Sequence, residues 1–370
     1  MDNAPIYLDY NATTPLRAEV KAELLDALGE PNNPSSIHSL GRSARRRLEK
    51  SRNQIGTLIN SPTENIIFTS GGTEANNLAL KGGQYTDIIV SSIEHEAVLA
   101  ATSNAKKIRV DKDGMVVLSE LENVLADING DCLVSIMWAN NETGVIQPIK
   151  EIVEIASRFG AHVHSDAVQA LGKIPINFRE SGLSMMSISA HKIGGPTGIG
   201  ALIIADDVEL KPALDGGGQE KGRRSGTENI LGAIGFGKAA EVVAQNPVEN
   251  KKVENLRDRF ETKLSQCFPK VNILSQNAPR LGNTSAVVMP GVLAETQVMG
   301  FDLEGICLSA GAACSSGKVK RSHVVEAMKI GDEPTTNTIR VSLGWDTTEL
   351  EIDFLVDSWL KIYNRANKKI

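Results

Sequence analysis

Lys192 is the residue of this sequence whose setting most invites chemistry. Ser189-Ala190-His191-Lys192 closes a strand-like stretch and runs into the glycine-rich IGGPTGIG. A lysine at a strand end, crowded by glycines, is expected to lose water. Desolvation lowers an ammonium pKa, and the free amine can then form a Schiff base. Alone, a loop lysine reads as a solvated surface charge; two other segments give the first reading its force. Ser70-Gly71-Gly72-Thr73-Glu74 stands between a strand and a helix. There, glycines let the backbone approach an anion and the first helical N–H groups point at it. A tight turn without a ligand is the alternative. His164-Ser165-Asp166 brings a carboxylate to another strand end. Pyridoxal phosphate needs a lysine for its aldehyde, a carboxylate for its pyridinium nitrogen and several donors for its phosphate. Lys192, Asp166 and the Gly72–Thr73 turn offer one of each.

Two rival signals weaken on inspection. His162-Val163-His164-Ser165-Asp166 puts two imidazoles and a carboxylate on one strand face, as in the HxHxD entry of some zinc hydrolases. A catalytic metal needs further ligands, and His38, His95, His191 and His323 do not come paired at ligand spacing. Packed histidines are therefore the expected reading. Gly232 to Lys238 matches GxxxxGK, but Ala239 follows where a magnesium-binding hydroxyl would stand. Small residues in a packed helix explain that stretch better. There is no GxGxxG.

The elements that must position these groups alternate. Strands are expected at 66–70, 87–92, 132–139, 161–167, 185–189 and 199–205. Helical spacing of Leu40, Ala44, Leu48, Ile55 and Leu58 predicts a helix over 37–59, and KEIVEIASRFG predicts another that ends on a capping glycine. Such alternation favours an α/β fold with a mostly parallel sheet, whose ligands bind beyond the carboxyl ends of its strands. After Asn246-Pro247 the character changes to a charged helix, two strands (285–289 and 338–343) and a closing helix. In that last helix Leu350, Phe354, Leu355, Trp359, Ile362 and Tyr363 are expected to form the buried stripe. The expected division is a large domain, 15–247, and a smaller α/β domain made of 1–14 and 248–370.

Composition bounds the function. The chain has 370 residues, of which 41% are apolar and 23% charged, enough for a sizeable core. Its net charge of −6 argues against nucleic acid as a partner. No apolar run approaches a membrane span, and the opening MDNAPIYLDYNATTP carries no secretory leader pattern. Cys132, Cys267, Cys307 and Cys314 show no CxxC pairing, so reduced thiols and a cytoplasmic setting are expected. Cys314 alone lies among small residues, SAGAACSSG, as a reactive thiol on a loop would. The other three are expected to be structural.

In order and spacing, YLDYNATTP (7–15), SGGTEANN (70–77), EHEAV (94–98), NNETG (140–144), HSDAVQ (164–169), SAHKIGGPTGIGAL (189–202), GGGQEKGRRSGTEN (216–229), AGAACSSG (310–317) and IRVSLG (339–344) resemble the cysteine desulfurases of the NifS/IscS type. These are fold-type I pyridoxal-phosphate enzymes of the class V aminotransferase group. The resemblance implies a large domain around a seven-stranded type of mostly parallel sheet, with the catalytic cysteine loop carried by the smaller domain.

It also implies roles. Lys192 would hold the cofactor and move the Cα proton, and Asp166 would pair with the pyridinium nitrogen. Gln169 would bond the phenolic oxygen with Asn141 nearby, Asn141 also touching substrate. His95 would stack on the ring and shuttle protons. Gly72, Thr73, Ser189 and His191 would hold the phosphate, joined by Thr227 from the other subunit of a homodimer with shared active sites. Arg340 would take the substrate carboxylate. Cys314 would accept the sulfur of L-cysteine as a persulfide, leaving L-alanine. It would then pass the sulfur to an iron–sulfur scaffold or another acceptor, and could serve as a transient cluster ligand there. Trp345 and Trp138 stand where many relatives have arginine and histidine. The alternatives are a selenocysteine lyase or another class V enzyme that does not depend on Cys314, and a non-catalytic sulfur-carrier subunit. The full set of catalytic side chains argues against the last.

Overall fold

The computed structural model describes residues 5–31, 33–311 and 321–367. After a short first strand, β1 (Ile6–Tyr7), seven strands build one sheet: β2 (Ile66–Thr69), β3 (Asp87–Ser91), β4 (Lys106–Ile108), β5 (Cys132–Ser135), β6 (His162–Asp166), β7 (Met185–Ser189) and β8 (Gly200–Ile204). Their order is β2-β8-β7-β6-β5-β3-β4. β8 runs antiparallel to both its neighbours, and every other adjacent pair is parallel. The strands are apolar on both faces because both are covered. In β2, Ile66 and Phe68 enter one core while Ile67 enters the opposite one; in β5, Cys132 and Val134 oppose Leu133 in the same way.

The helices obey their periodicity. Ser39–Ile59 buries Ala44, Leu48 and Ile55, although Leu40, in its first turn, stays exposed. Ile149–Arg158 buries Ile149, Ile152, Ile155 and Ala156 and ends before Gly160, whose φ is 67°. The GxxxxGK stretch lies inside the helix Ile230–Gln245, with Gly237 pressed against Ser51 of the helix Ser39–Ile59. Its glycines serve helix contact.

Beyond Pro247 the strands β9 (Asn272–Ile273), β10 (Thr284–Val288), β11 (Ile306–Cys307), β12 (Ser309–Ala310) and β13 (Thr338–Ser342) follow. Four of them form an antiparallel sheet ordered β12-β13-β10-β9, while β11 pairs in parallel with β1. A separate core gathers here, in which Leu8 joins Phe260, Phe301, Val341 and Trp359. The closing helix, Glu349–Asn367, corrects the expected stripe: Leu350 is 81% and Phe354 42% exposed. Both stand two residues from buried Ile352, which at about 100° per residue is the far side of the helix. The buried face is instead Ile352, Leu355, Val356, Trp359 and Ile362.

Because β2, β6 and β7 are parallel, Gly72, Asp166 and Lys192, which end or follow them, emerge at one edge of the sheet. The turn after β1 crosses that edge, tied to β13 through Asp9 and Ser342.

Candidate active site

A cavity of about 340 Å³ opens at this edge. Lys192, Asp166, Gln169, Ser189 and His191 line it from the ends of β6 and β7, and Gly72 and Thr73 from the helix after β2. His95, Asn141 and Arg340 complete the set of sequence-predicted residues found there. Thr227 does not line it. It sits exposed in a segment tethered by the ion pairs Arg224–Glu74, 2.8 Å, and Arg52–Glu220, 2.9 Å. Cys314 lies outside the described residues; Gly311, just before it in sequence, does line the cavity.

Lys192 Nζ donates to the backbone oxygens of Asn11 and Ala12, the latter at 2.7 Å. Burial, then the Arg340 cation, pushes its pKa down to about 8, against the opposing pull of Asp9 and Asp166. The amine is thus available near neutral pH, as Schiff-base chemistry requires. Asp166 is held at both oxygens: Oδ2 accepts Asn76 Nδ2 at 2.7 Å and Oδ1 accepts the Val168 N–H at 3.0 Å. Burial and Lys192 push His191 down to about 4. Neutral at physiological pH, its ring can hold a phosphate by hydrogen bonding alone.

The structure fits pyridoxal phosphate on its own geometry. The helix Gly72–Gly82 starts without a side-chain cap, so its first N–H groups are left for an anion. Gly71 has φ 156°, a conformation side-chain-bearing residues rarely adopt, and a Cβ on Gly72 would sit 2.8 Å from Val168 Cγ2, so that position has no room for a side chain. Ser189, His191 and Thr73 surround a recess of about 220 Å³ at that helix start. The amine, the fixed carboxylate and the uncapped helix are the three demands of the cofactor, met in one cavity.

At the substrate end, Arg340 is buried on β13. Its Nη2 lies 2.6 Å from Asp9 Oδ1 and its Nη1 donates to the Asn141 carbonyl at 3.0 Å. Among the described residues its Nε is buried without a partner. His95 caps the helix Glu96–Leu99, its Nδ1 accepting the Ala97 N–H at 3.0 Å, which fixes the ring at the cavity wall. Gln169 Nε2 donates to Asn11 O at 2.9 Å.

Sequence reasoning missed several side chains. Asn11 joins the site from the N-terminal turn, and Asn76 orients Asp166. Glu94 is fully buried, accepts from Ser91 Oγ and the Met137 N–H, and is pushed up to about 8 by burial. Glu142, also buried, accepts Ser322 Oγ at 2.6 Å and presses on Gly311. Each belongs to a motif already quoted, EHEAV or NNETG, so the signal was a buried-looking acid inside a site motif.

The histidine pair resolves into packing. His164 is buried, its Nδ1 against Ser135 Oγ at 2.8 Å and its Nε2 against Ser187 Oγ at 2.9 Å. Burial pushes its pKa down to about 3. Among the described residues no three His, Cys, Asp or Glu side chains gather as a metal site. Cys132 is buried as expected and Cys307 half-buried, whereas Cys267 is exposed and carries no core role.

Comparison with known proteins points the same way. The aminotransferase class-V family model matches residues 6–355. A cysteine desulfurase from Cereibacter sphaeroides is 41% identical over 367 residues, covering 95% of this chain and 94% of that protein. The cysteine desulfurase IscS of Dictyoglomus turgidum is 40% identical, covering 95% and 93%. The X-ray structure of a NifS-like protein from Rickettsia africae superimposes with a TM-score of 0.92 at 41% identity, covering 97% of this chain and 99% of that one.

Proposed function

Since this chain belongs to the aminotransferase class-V family, and to its cysteine desulfurases, we propose the following division of labour for removing sulfur from L-cysteine to leave L-alanine. The activity is pyridoxal-phosphate-dependent. When bound, the cofactor supplies an electron sink for the charge that develops at the amino acid's Cα.

Lys192 would hold the cofactor through its amine, and its free amine can take a proton from Cα and return one. A pKa near 8 suits both tasks. Asp166, immobilised by Asn76, keeps the ring nitrogen protonated. Gly72, Thr73, Ser189 and His191 hold the phosphate, and Gln169 and Asn141 face the phenolic oxygen. His95, fixed at the cavity wall, would cover the cofactor ring and could relay protons at the γ-sulfur. Arg340 exchanges Asp9 for the substrate carboxylate, and Asn141 positions the same substrate.

Cys314 thiolate attacks the γ-sulfur. The S–S bond of a persulfide forms as the Cβ–S bond breaks, and the electron pair left on carbon is protonated to give alanine. The sulfur then passes to an acceptor, an iron–sulfur scaffold in this reading, where Cys314 can briefly share a nascent cluster. Thr227, exposed and apart from its own cavity, completes the phosphate site of the neighbouring subunit in a homodimer. None of the described helices is long and apolar enough to cross a membrane; this reading places the enzyme and its reduced thiols in the cytoplasm.

The observation that carries the reading is the meeting of Lys192, Asp166 and the uncapped Gly72 helix in one cavity. Its test is alanine release from L-cysteine by wild type and Cys314→Ala, with the visible spectrum recorded alongside. Colour in both proteins with turnover in wild type alone supports it. Equal turnover would favour a lyase or aminotransferase, and a protein left colourless by added pyridoxal phosphate would remove the cofactor assignment.

A further inference from the structure

A second lysine borders the site, and nothing in the reaction so far uses it. Lys173 stands four residues after Gln169, at the end of a run of turns in which the Leu171 N–H meets Ala167 O at 2.9 Å, the Lys173 N–H meets Ala170 O at 3.0 Å and Gly172 takes a φ of 72°. That left-handed glycine bends the chain between the two residues, and their side chains still meet. Lys173 Nζ donates to Gln169 Oε1 at 2.6 Å and to Asn11 Oδ1 at 2.8 Å. Neither acceptor is a carboxylate, which is unusual company for a lysine inside a protein.

The groups facing it are mostly cations. Lys192 follows β7, and Arg340 lies on β13 with Asp9 as its own partner. Arg17 and Glu249 share a small neighbouring cavity with Lys173 but pair with each other at 2.7 Å. Burial, followed by Lys192 and Arg340, drives the Lys173 pKa well below the ordinary lysine value.

The consequence falls on Gln169. With its oxygen turned to Lys173, its nitrogen must face the other way, and there one N–H meets the Asn11 carbonyl, which can only accept. An amide nitrogen carries two hydrogens, so the second is left for the cavity that Gln169 lines. We propose that Lys173 is a positioning residue for the cofactor: it locks the Gln169 amide with its donor edge toward the phenolic oxygen. Through Asn11, whose backbone oxygen receives Lys192 Nζ and whose side-chain oxygen receives Lys173 Nζ, it also steadies the acceptor that holds the catalytic lysine. The inference rests on the reading that Gln169 meets the phenolic oxygen.

A donor fixed on that oxygen favours its anionic form, so losing it makes proton release from the bound chromophore harder. The experiment is a pH titration of visible absorbance in holoenzyme reconstituted with pyridoxal phosphate. Lys173→Met is expected to raise the midpoint by on the order of one pH unit, as removing one hydrogen bond to a charged form does. In a Gln169→Leu background the same substitution is expected to add nothing, because the residue acts through that amide. Where Lys173→Met fails to fold, Lys173→Gln takes its place: its amide has no fixed donor end, so the midpoint must still rise. An unshifted midpoint in the variant that folds, or an equal shift with and without Gln169, overturns the proposal. Wild type that stays colourless with added pyridoxal phosphate overturns the cofactor reading beneath it instead.

Discussion

Asn76 Nδ2 lies 2.7 Å from Asp166 Oδ2, and among the described residues Asn76 Oδ1 is buried without a partner. An asparagine that spends one end on a carboxylate and leaves the other unpaired is placed for that carboxylate's sake. Asp166 is thereby aimed, and in the proposed reading its charge serves the ring nitrogen. Asp166→Asn keeps the shape and removes the charge. The variant is expected to retain its visible absorbance while alanine formation falls on the order of 100-fold or more. Single-turnover absorbance and alanine assay on the same sample check it.

Arg340 presents a planar fork already loaded on one side by Asp9 at 2.6 Å. Arg340→Lys replaces that fork by a point charge, which cannot hold Asn141 O and a carboxylate together. KM for L-cysteine is expected to rise about tenfold or more, with the holoenzyme spectrum unchanged. Initial rates over a cysteine series decide it.

Gly200 sits on β8 where two backbones converge: a Cβ there would be 2.7 Å from the Gly71 carbonyl carbon and 2.7 Å from Ile188 O. Neither can yield as a side-chain tip would. Gly200→Ala is expected to lose about 1–3 kcal/mol of stability and, because Gly71 adjoins the proposed phosphate turn, to weaken cofactor retention as well. Urea unfolding and cofactor release on dialysis measure the two effects.

His164 gives a pH signature away from the chemistry. Its folded pKa of about 3 lies below the ordinary 6.5, so between these values the unfolded chain binds the extra proton. Stability from this group is complete above about pH 6.5 and is lost as pH falls toward 3, at about 1.4 kcal/mol per unit. His164→Asn is expected to flatten the acid limb by one proton, read from urea midpoints between pH 4 and 7.

What the sequence made legible was what depends on neighbours along the chain. Lys192, Asp166 and Gly72 each sit where a strand ends, and strands with two apolar faces announce themselves. Asn11 was illegible for the opposite reason: its partners Gln169, Lys192 and Thr284 are brought to it by folding alone. Lys173 carried no local signal, because Gly172 turns the chain between it and Gln169 and nothing in the string of residues says that their side chains meet. Leu350 and Phe354 misled because an i, i+4 apolar pair marks a face without saying which face is covered. The exposed pair and the buried stripe differ only in what folds against them.

The pairing of β1 with β11, and of Asp9 with Ser342, has a consequence for the order of events during synthesis. β1 is made well before its partner β11, and the whole seven-stranded sheet is synthesised between them. At about 5–20 residues per second, that wait is on the order of tens of seconds. The strands from Ile66 to Ile204 can assemble in the meantime, with Lys192 and Asp166 already at their edge. The carbonyls of Asn11 and Ala12 that receive the lysine arrive with the last strands. A chain that stops before β11 therefore holds the Lys192 amine without the strand pairing that sets its Asn11 and Ala12 acceptors.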